Sequence, residues 1–199
     1  FLLLGLFDHG VGHALGGQEG GAGAADVLTG IVTPCGKLSD TIALDISDYP
    51  STEGFGDPTR VIYKEDIYVG YRYFETFAKD CVLYPFGYGL SYTEFSYGKA
   101  RVSAEKLRRG EAIKVSVTVK NTGMREATET AQLYLRDKVA SVVRPVKELK
   151  GFKKVTLAAG EETLVTFEIN EEMLKFYNAE LEFAAENGDF TAYIGGSSD

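Results

Sequence analysis

From about Phe95 onward the chain alternates apolar and polar residues with a period of two. Ile113, Val115, Val117 and Val119 share one face, while Lys114, Ser116, Thr118 and Lys120 share the other. Val165, Phe167 and Ile169 repeat the arrangement, as do Phe190, Ala192 and Ile194. Successive strand side chains point to opposite faces, so this pattern predicts half-buried strands with one face turned to a core. Turn residues at Asn121-Thr122-Gly123, Ala159-Gly160 and Asn187-Gly188 separate them. About seven short strands in about a hundred residues is the scale of an immunoglobulin-like sandwich. Asn170 followed by Glu171 and Glu172 predicts a capped helix of one or two turns across its end. Cys35 and Cys81 are too few and too distant to imply a disulfide framework, and free thiols are expected.

The first half of the chain reads differently. The apolar run Phe1–Phe7 predicts a buried strand, Gly10–Gly23 a glycine-rich loop, and the Ala-rich stretch through Val27 and Leu28 a short helix before a turn at Pro34. Phe1–Phe7 lacks both a basic lead-in and the length to span a bilayer, so neither a signal peptide nor membrane insertion is expected. A hydrophobic strand at residue 1 with no starting Met suggests a fragment of a longer protein. Residues 46–94 carry Pro50, Pro58 and Pro85 among glycines and tyrosines. So long an irregular stretch needs anchorage. The segment Tyr84-Pro85-Phe86-Gly87-Tyr88-Gly89-Leu90-Ser91-Tyr92-Thr93-Glu94-Phe95 supplies it, with five rings to bury and two glycines free of Cβ hindrance.

That segment, with Ile67-Tyr68-Val69-Gly70-Tyr71-Arg72-Tyr73-Phe74 upstream, resembles the end of the α/β sandwich domain and the following linker in family-three glycoside hydrolases, the β-glucosidase and β-xylosidase group. Further motifs follow in the family's order. Gly17-Gln18-Glu19-Gly20-Gly21 and Ala25–Gly30 resemble its Gly-Gln-Glu-Gly-Gly helix start, and Pro34-Cys35-Gly36-Lys37-Leu38 its Pro-Ser-Gly-Lys-Leu turn. Gly16, Thr33 and Cys35 depart from the usual Pro, Asn and Ser. Val119–Gly123, Gln132-Leu133-Tyr134, Arg144–Phe152 and Gly195-Gly196-Ser197-Ser198 resemble the family's fibronectin-type-III-like domain. The resemblance implies a mainly β chain: residues 1–45 as the C-terminal end of the α/β sandwich domain, 46–94 as an aromatic-rich linker, and 95–199 as the fibronectin-III-like β-sandwich. It also implies retaining hydrolysis of terminal β-linked glucose or a related sugar in a larger enzyme, without cofactor. This chain would dock intramolecularly against the missing barrel and α/β sandwich domains.

Glycoside hydrolysis needs two carboxyl groups, about 5–5.5 Å apart in retaining enzymes. The resemblance places the nucleophilic Asp in an N-terminal barrel and the acid/base Glu upstream of Glu19, so no catalytic residue is expected here. Glu19 is the tempting substitute, but a carboxylate at a helix start is expected to satisfy free N–H groups and the helix dipole. Tyr63, Glu65 and Arg72 are candidates for a sugar-facing cluster, because hydroxyls and planar ion pairs suit vicinal diols. In a Tyr-rich linker the expected role of such residues is packing between domains. Asp40, Asp45 and Asp48 are expected in solvated turns and caps.

A formal net charge of -8 argues against a nucleic-acid partner, and Lys106-Leu107-Arg108-Arg109 is expected to be a solvated strand connection. His9 and His13 are interrupted by Gly10 and Gly12 and have no acidic companion, so no metal site is expected. Gly30–Lys37 contains Pro34 and is followed by Leu38 rather than Ser or Thr, unlike a phosphate loop. Leu15 replaces the third glycine of a dinucleotide fingerprint, which leaves no cofactor motif. The rival reading is a stand-alone module in which the sandwich itself binds carbohydrate or protein. It is weakened by the absence of Trp and by tyrosines scattered along the sandwich sequence.

Overall fold

The computed structural model describes residues 18–199 and the backbone of Leu4–Phe7 and Gly10–His13. In chain order the elements are β1 (Leu4–Phe7), β2 (Gly10–His13), α1 (Gly20–Leu28), β3 (Ile42–Ala43), α2 (Tyr71–Phe77), β4 (Val82–Tyr84), β5 (Phe95–Tyr97), β6 (Arg101–Val102), β7 (Ala112–Asn121), β8 (Ala127–Asp137), β9 (Glu148–Leu157), β10 (Glu162–Asn170), α3 (Glu171–Leu174), β11 (Phe176–Tyr177), β12 (Phe183–Ala184) and β13 (Phe190–Gly195). The glycine-rich stretch expected to be loop begins as a strand, because β1 and β2 pair antiparallel from Leu4 with His13 to Phe7 with Gly10. The expected burial of Phe1–Phe7 and the side chain of His9 lie outside the described residues.

Two antiparallel sheets make the sandwich. One has β7 at its centre, with β10 along one edge and β5 and β6 on the other; the second runs β13-β8-β9. The alternation read from the sequence sets which side chains meet between them. Val115, Val117 and Val119 from β7 and Val165, Phe167 and Ile169 from β10 face Ala131, Leu133 and Leu135 from β8 and Leu157 from β9. Each large side chain so removed from water contributes roughly 1.5–3 kcal/mol. At the sandwich end, α3 is capped as expected, with the Met173 N–H donating to Asn170 Oδ1 at 3.2 Å.

Strand β8 is buried on both faces over most of its length. Its outward residues Thr130, Gln132 and Tyr134 would be solvated in an isolated sandwich, yet Tyr134 is 1% exposed because the preceding chain lies over it. That covering chain is less irregular than its Pro and Gly content suggests. Gly70, at φ +60, opens helix α2, whose Phe74 is buried at 1% exposure. The Pro- and Gly-rich composition of 46–94 hid this helix, since tertiary packing overrides weak local propensity. Three 3₁₀ turns, Ile46–Asp48, Thr52–Gly54 and Lys79–Cys81, also punctuate the stretch. Asp45 accepts from the Ser47 N–H and Asp48 from the Asp45 N–H, so these acids act as reciprocal caps, as expected. Asp40 likewise accepts from the Thr41 N–H at 2.9 Å. Among the described residues Cys35 and Cys81 are unpaired.

Candidate functional site

Of the candidates for a sugar-facing cluster, Tyr63 is exposed and Glu65 and Arg72 are half-buried. Tyr63 is 74% exposed, and among the described residues no hydrogen bond or ion pair joins Tyr63, Glu65 and Arg72. Arg72 lies in α2, where its carbonyl accepts from Thr76 Oγ1 at 2.6 Å. Glu19 occupies the N-cap position of α1, but its side chain makes no cap hydrogen bond; only its carbonyl accepts, from the Gly23 N–H at 3.0 Å. The expected satisfaction of N–H groups by its carboxylate is therefore not observed. Three small residues follow directly in Gly20, Gly21 and Ala22, and the Glu19 side chain projects to solvent instead.

What the fold does assemble is a clasp between residues 27–92 and the sandwich. The turn at Gly36-Lys37-Leu38 and the segment Phe86-Gly87-Tyr88-Gly89 lie side by side, with the Leu38 N–H donating to the Tyr88 carbonyl and the Gly87 N–H to the Leu38 carbonyl, each at 2.8 Å. Gly87, at φ +81, sits where a Cβ would stand 2.4 Å from Gln132 Nε2. Gly89 has no such torsion, but a Cβ there would meet the Gly36 carbonyl oxygen at 2.3 Å. One glycine permits a left-handed turn against β8 and the other a close backbone approach.

Aromatic and polar groups complete the joint. Tyr71 packs on Phe86 with centroids 4.8 Å apart and meets Tyr134 edge-on at 5.9 Å. Its hydroxyl accepts from the Leu149 N–H at 2.7 Å. Tyr92 Oη donates to the Val27 carbonyl at 2.8 Å, which ties α1 to the start of the sandwich.

Two buried carboxylates, neither singled out by the sequence, anchor opposite sides. Glu129 pairs with Lys37 at 3.2 Å and accepts from Tyr97 Oη at 2.8 Å. Burial first, and then the Glu129 charge and hydrogen bond, push the Tyr97 hydroxyl well above its ordinary value of 10.0. The side chain of Glu75 in α2 is 6% exposed, pairs with Lys147 at 3.2 Å and accepts from Ser198 Oγ at 2.8 Å. Lys147 also donates to the Ser198 carbonyl, and the Ser198 N–H to the Phe86 carbonyl at 2.8 Å. A buried carboxylate needs such partners to offset its desolvation. Lys147 and Ser198 fall within motifs visible in the sequence, whereas Glu75 has no local signal.

These motifs have known counterparts. Residues 11–92 match the glycosyl hydrolase family 3 C-terminal domain, and residues 129–198 the fibronectin type III-like domain. The chain belongs to the C-terminal region of glycosyl hydrolase family 3. Thermostable β-glucosidase B of Acetivibrio thermocellus is 46% identical over 186 residues, covering 92% of this chain and 24% of that protein. An exo-α-(1→6)-L-arabinopyranosidase of Bifidobacterium breve is 41% identical, covering 92% of the chain and 24% of its own length. The structure of β-glucosidase 3B from Thermotoga neapolitana in complex with glucose superposes with a TM-score of 0.82 at 42% identity, covering 92% of this chain and 25% of that one. The chain thus spans about a quarter of the length of the family members it matches. The mainly β sandwich expected from the motifs agrees with this assignment.

Outside the clasp, this family 3 chain leaves apolar side chains in water. Phe55 is 90% exposed and Val61 85%, with Ile31, Ile46 and Leu44 also exposed in the first half. Among the described residues no group of His, Cys, Asp and Glu is placed to hold a metal ion, and no helix is long and apolar enough to cross a membrane.

Proposed function

We propose that residues 1–45 close an α/β sandwich domain, residues 46–94 form the linker, and residues 95–199 are the fibronectin-III-like domain of a larger retaining glycosidase. That enzyme removes terminal, non-reducing β-linked glucosyl or related residues without a cofactor. Its nucleophile and acid/base lie outside these 199 residues, in the barrel and in the upstream part of the α/β domain. The 199-residue portion acts as a scaffold that holds those domains in place, and the sugar specificity is set by them.

The clasp is the observation that carries this reading. Its buried carboxylates, glycine contacts and rings fix the linker to the sandwich, while the exposed Glu19 side chain makes no cap hydrogen bond among the described residues. The exposed apolar residues Phe55, Val61 and Ile46 are proposed to meet the missing domains, where docking would remove their apolar area from water. Tyr63 is proposed to belong to that face, with Glu65 and Arg72 at its margin.

An assay of the purified 199-residue chain on aryl β-glucosides and aryl β-xylosides tests the proposal. No turnover above the uncatalysed rate is expected, because positioned acid and nucleophile are both missing. Reproducible turnover that disappears in Glu19→Gln would contradict it.

A further inference from the structure

The scattered tyrosines of the sandwich sequence hide one organised pair. On the hairpin β11–β12, Tyr177 stands directly opposite Phe183, their ring centroids 5.1 Å apart and tilted by 44°. Both rings are largely in water, 65% and 52% exposed. Strand alternation turns the neighbouring Phe176 inward, where it is 3% exposed and carries the Arg144 guanidinium 4.6 Å from its ring centroid. The hairpin turn is fastened by Asn178, whose Oδ1 accepts from the Glu180 and Glu182 N–H groups at 3.1 and 2.9 Å. The exposed rings are therefore held by a buried anchor beneath and a closed turn beside them.

Phe183 also forms one wall of a cleft of about 390 Å³, whose other lining groups include Arg108, Arg109, Glu171, Glu186 and Asn187. This volume falls within the range of small-molecule sites, about 300–1,000 Å³. Cations and carboxylates are mixed along the walls: Arg109 lies 3.8 Å from Glu171, and Glu186 accepts from the Ser141 N–H at 2.9 Å. Arg108 has no carboxylate partner among the described residues. Such mixing suits a neutral, hydroxyl-rich ligand better than a polyanion or a lipid tail. A pyranose ring has that character, with electropositive C–H groups for the negative face of an aromatic ring and in-plane hydroxyls for guanidinium, carboxylate and amide groups.

We propose that Tyr177 and Phe183 are the stacking platform of a non-catalytic saccharide site on the sandwich, with Arg108, Glu186 and Asn187 contacting hydroxyls in the adjoining cleft. The occupant is a neutral, β-linked glycan chain. The choice of β linkage rests on the hydrolytic reading above; the site itself does not. It would tether the protein to polymer while the reaction is carried out elsewhere.

Affinity electrophoresis of the 199-residue chain through gels containing soluble mixed-linkage β-glucan tests this, because its readout is mobility and requires no turnover. Retardation relative to a polysaccharide-free gel is expected. Tyr177→Ala and Phe183→Ala should each weaken the apparent affinity by about tenfold, and Tyr177→Phe by less than about threefold. Matching melting temperatures would confirm that these exposed substitutions leave the fold intact. No retardation of the unsubstituted chain, or equal retardation of both folded alanine variants, would overturn the proposal. Turnover by the chain without retardation would count against both this site and the scaffold reading, whereas retardation without turnover is the expected combination.

Discussion

Tyr71 Oη accepts a hydrogen bond from the Leu149 N–H at 2.7 Å, joining the first turn of α2 to the start of β9. The contact falls where the β8–β9 register slips, since Leu133 pairs with Gly151 but Tyr134 with Leu149. A bulge of this kind disturbs the ladder locally, and the tyrosine hydroxyl supplies an acceptor there. Tyr71→Phe should keep the ring contacts with Phe86 and Tyr134 but cost about 1 kcal/mol. A drop of roughly 2–4 °C in melting temperature is expected for a protein of this size. An unchanged melting temperature would mean that water serves the Leu149 N–H equally well.

Gly89→Ala should be more damaging than its chemistry suggests. The added Cβ would stand 2.3 Å from the Gly36 carbonyl oxygen and 3.4 Å from its carbon, and no rotamer change moves a backbone. A loss of about 1–3 kcal/mol in urea unfolding is expected. Gly21→Ala, in α1 with nothing within 4 Å, is the control and should be neutral or slightly stabilising.

Alkaline stability should depend on Tyr97. Its folded-state pKa is raised, first by burial and then by Glu129, so above the unfolded value near 10.0 the native state keeps a proton that the unfolded chain releases. Stability then falls as pH rises, beginning near the ordinary tyrosine value. Urea midpoints measured between pH 8 and about pH 11 should decline less steeply in Tyr97→Phe. Identical slopes would remove Tyr97 as a source of alkaline unfolding.

The covering of β8 bears on proteolysis. A sandwich folding by itself would leave a protected core beginning near Phe95. The buried Glu75 pairings and Tyr71 contacts instead extend protection upstream, to the neighbourhood of Gly70. Limited digestion followed by intact-mass measurement should therefore retain α2 with the sandwich. A core starting at Phe95 would show that the clasp opens readily.

The legible parts of this fold are those fixed by local pattern. Val115, Val117 and Val119 announced their strand and its buried face by alternation, and Asn170 announced α3 by its cap. Gly87 and Gly89 marked the clasp, although the sequence did not distinguish a left-handed turn from a close backbone approach. Helix α2 was masked by the Pro- and Gly-rich residues around it. Glu75 and Glu129 carried no local signal because their partners, Lys147 and Lys37, lie 72 and 92 residues away along the chain. The Tyr177–Phe183 pair required the β11–β12 register, which two-residue strands do not reveal by periodicity. For Tyr63, Glu65 and Arg72 no local signal separates a sugar contact from packing between domains, and among the described residues no hydrogen bond or ion pair joins them.

The most direct test of the scaffold account compares stability and kinetics for Phe86→Ala. Phe86 is half-buried rather than fully enclosed, so the cost should fall to roughly half that of a fully buried Phe, about 1.5–2.5 kcal/mol. The comparison is made in a chimera in which residues 18–199 replace the matching region of the Thermotoga neapolitana β-glucosidase 3B. A lower melting temperature with KM within about twofold of the unsubstituted chimera is predicted. An unchanged melting temperature with a large rise in KM would place Phe86 in the sugar site and contradict the account.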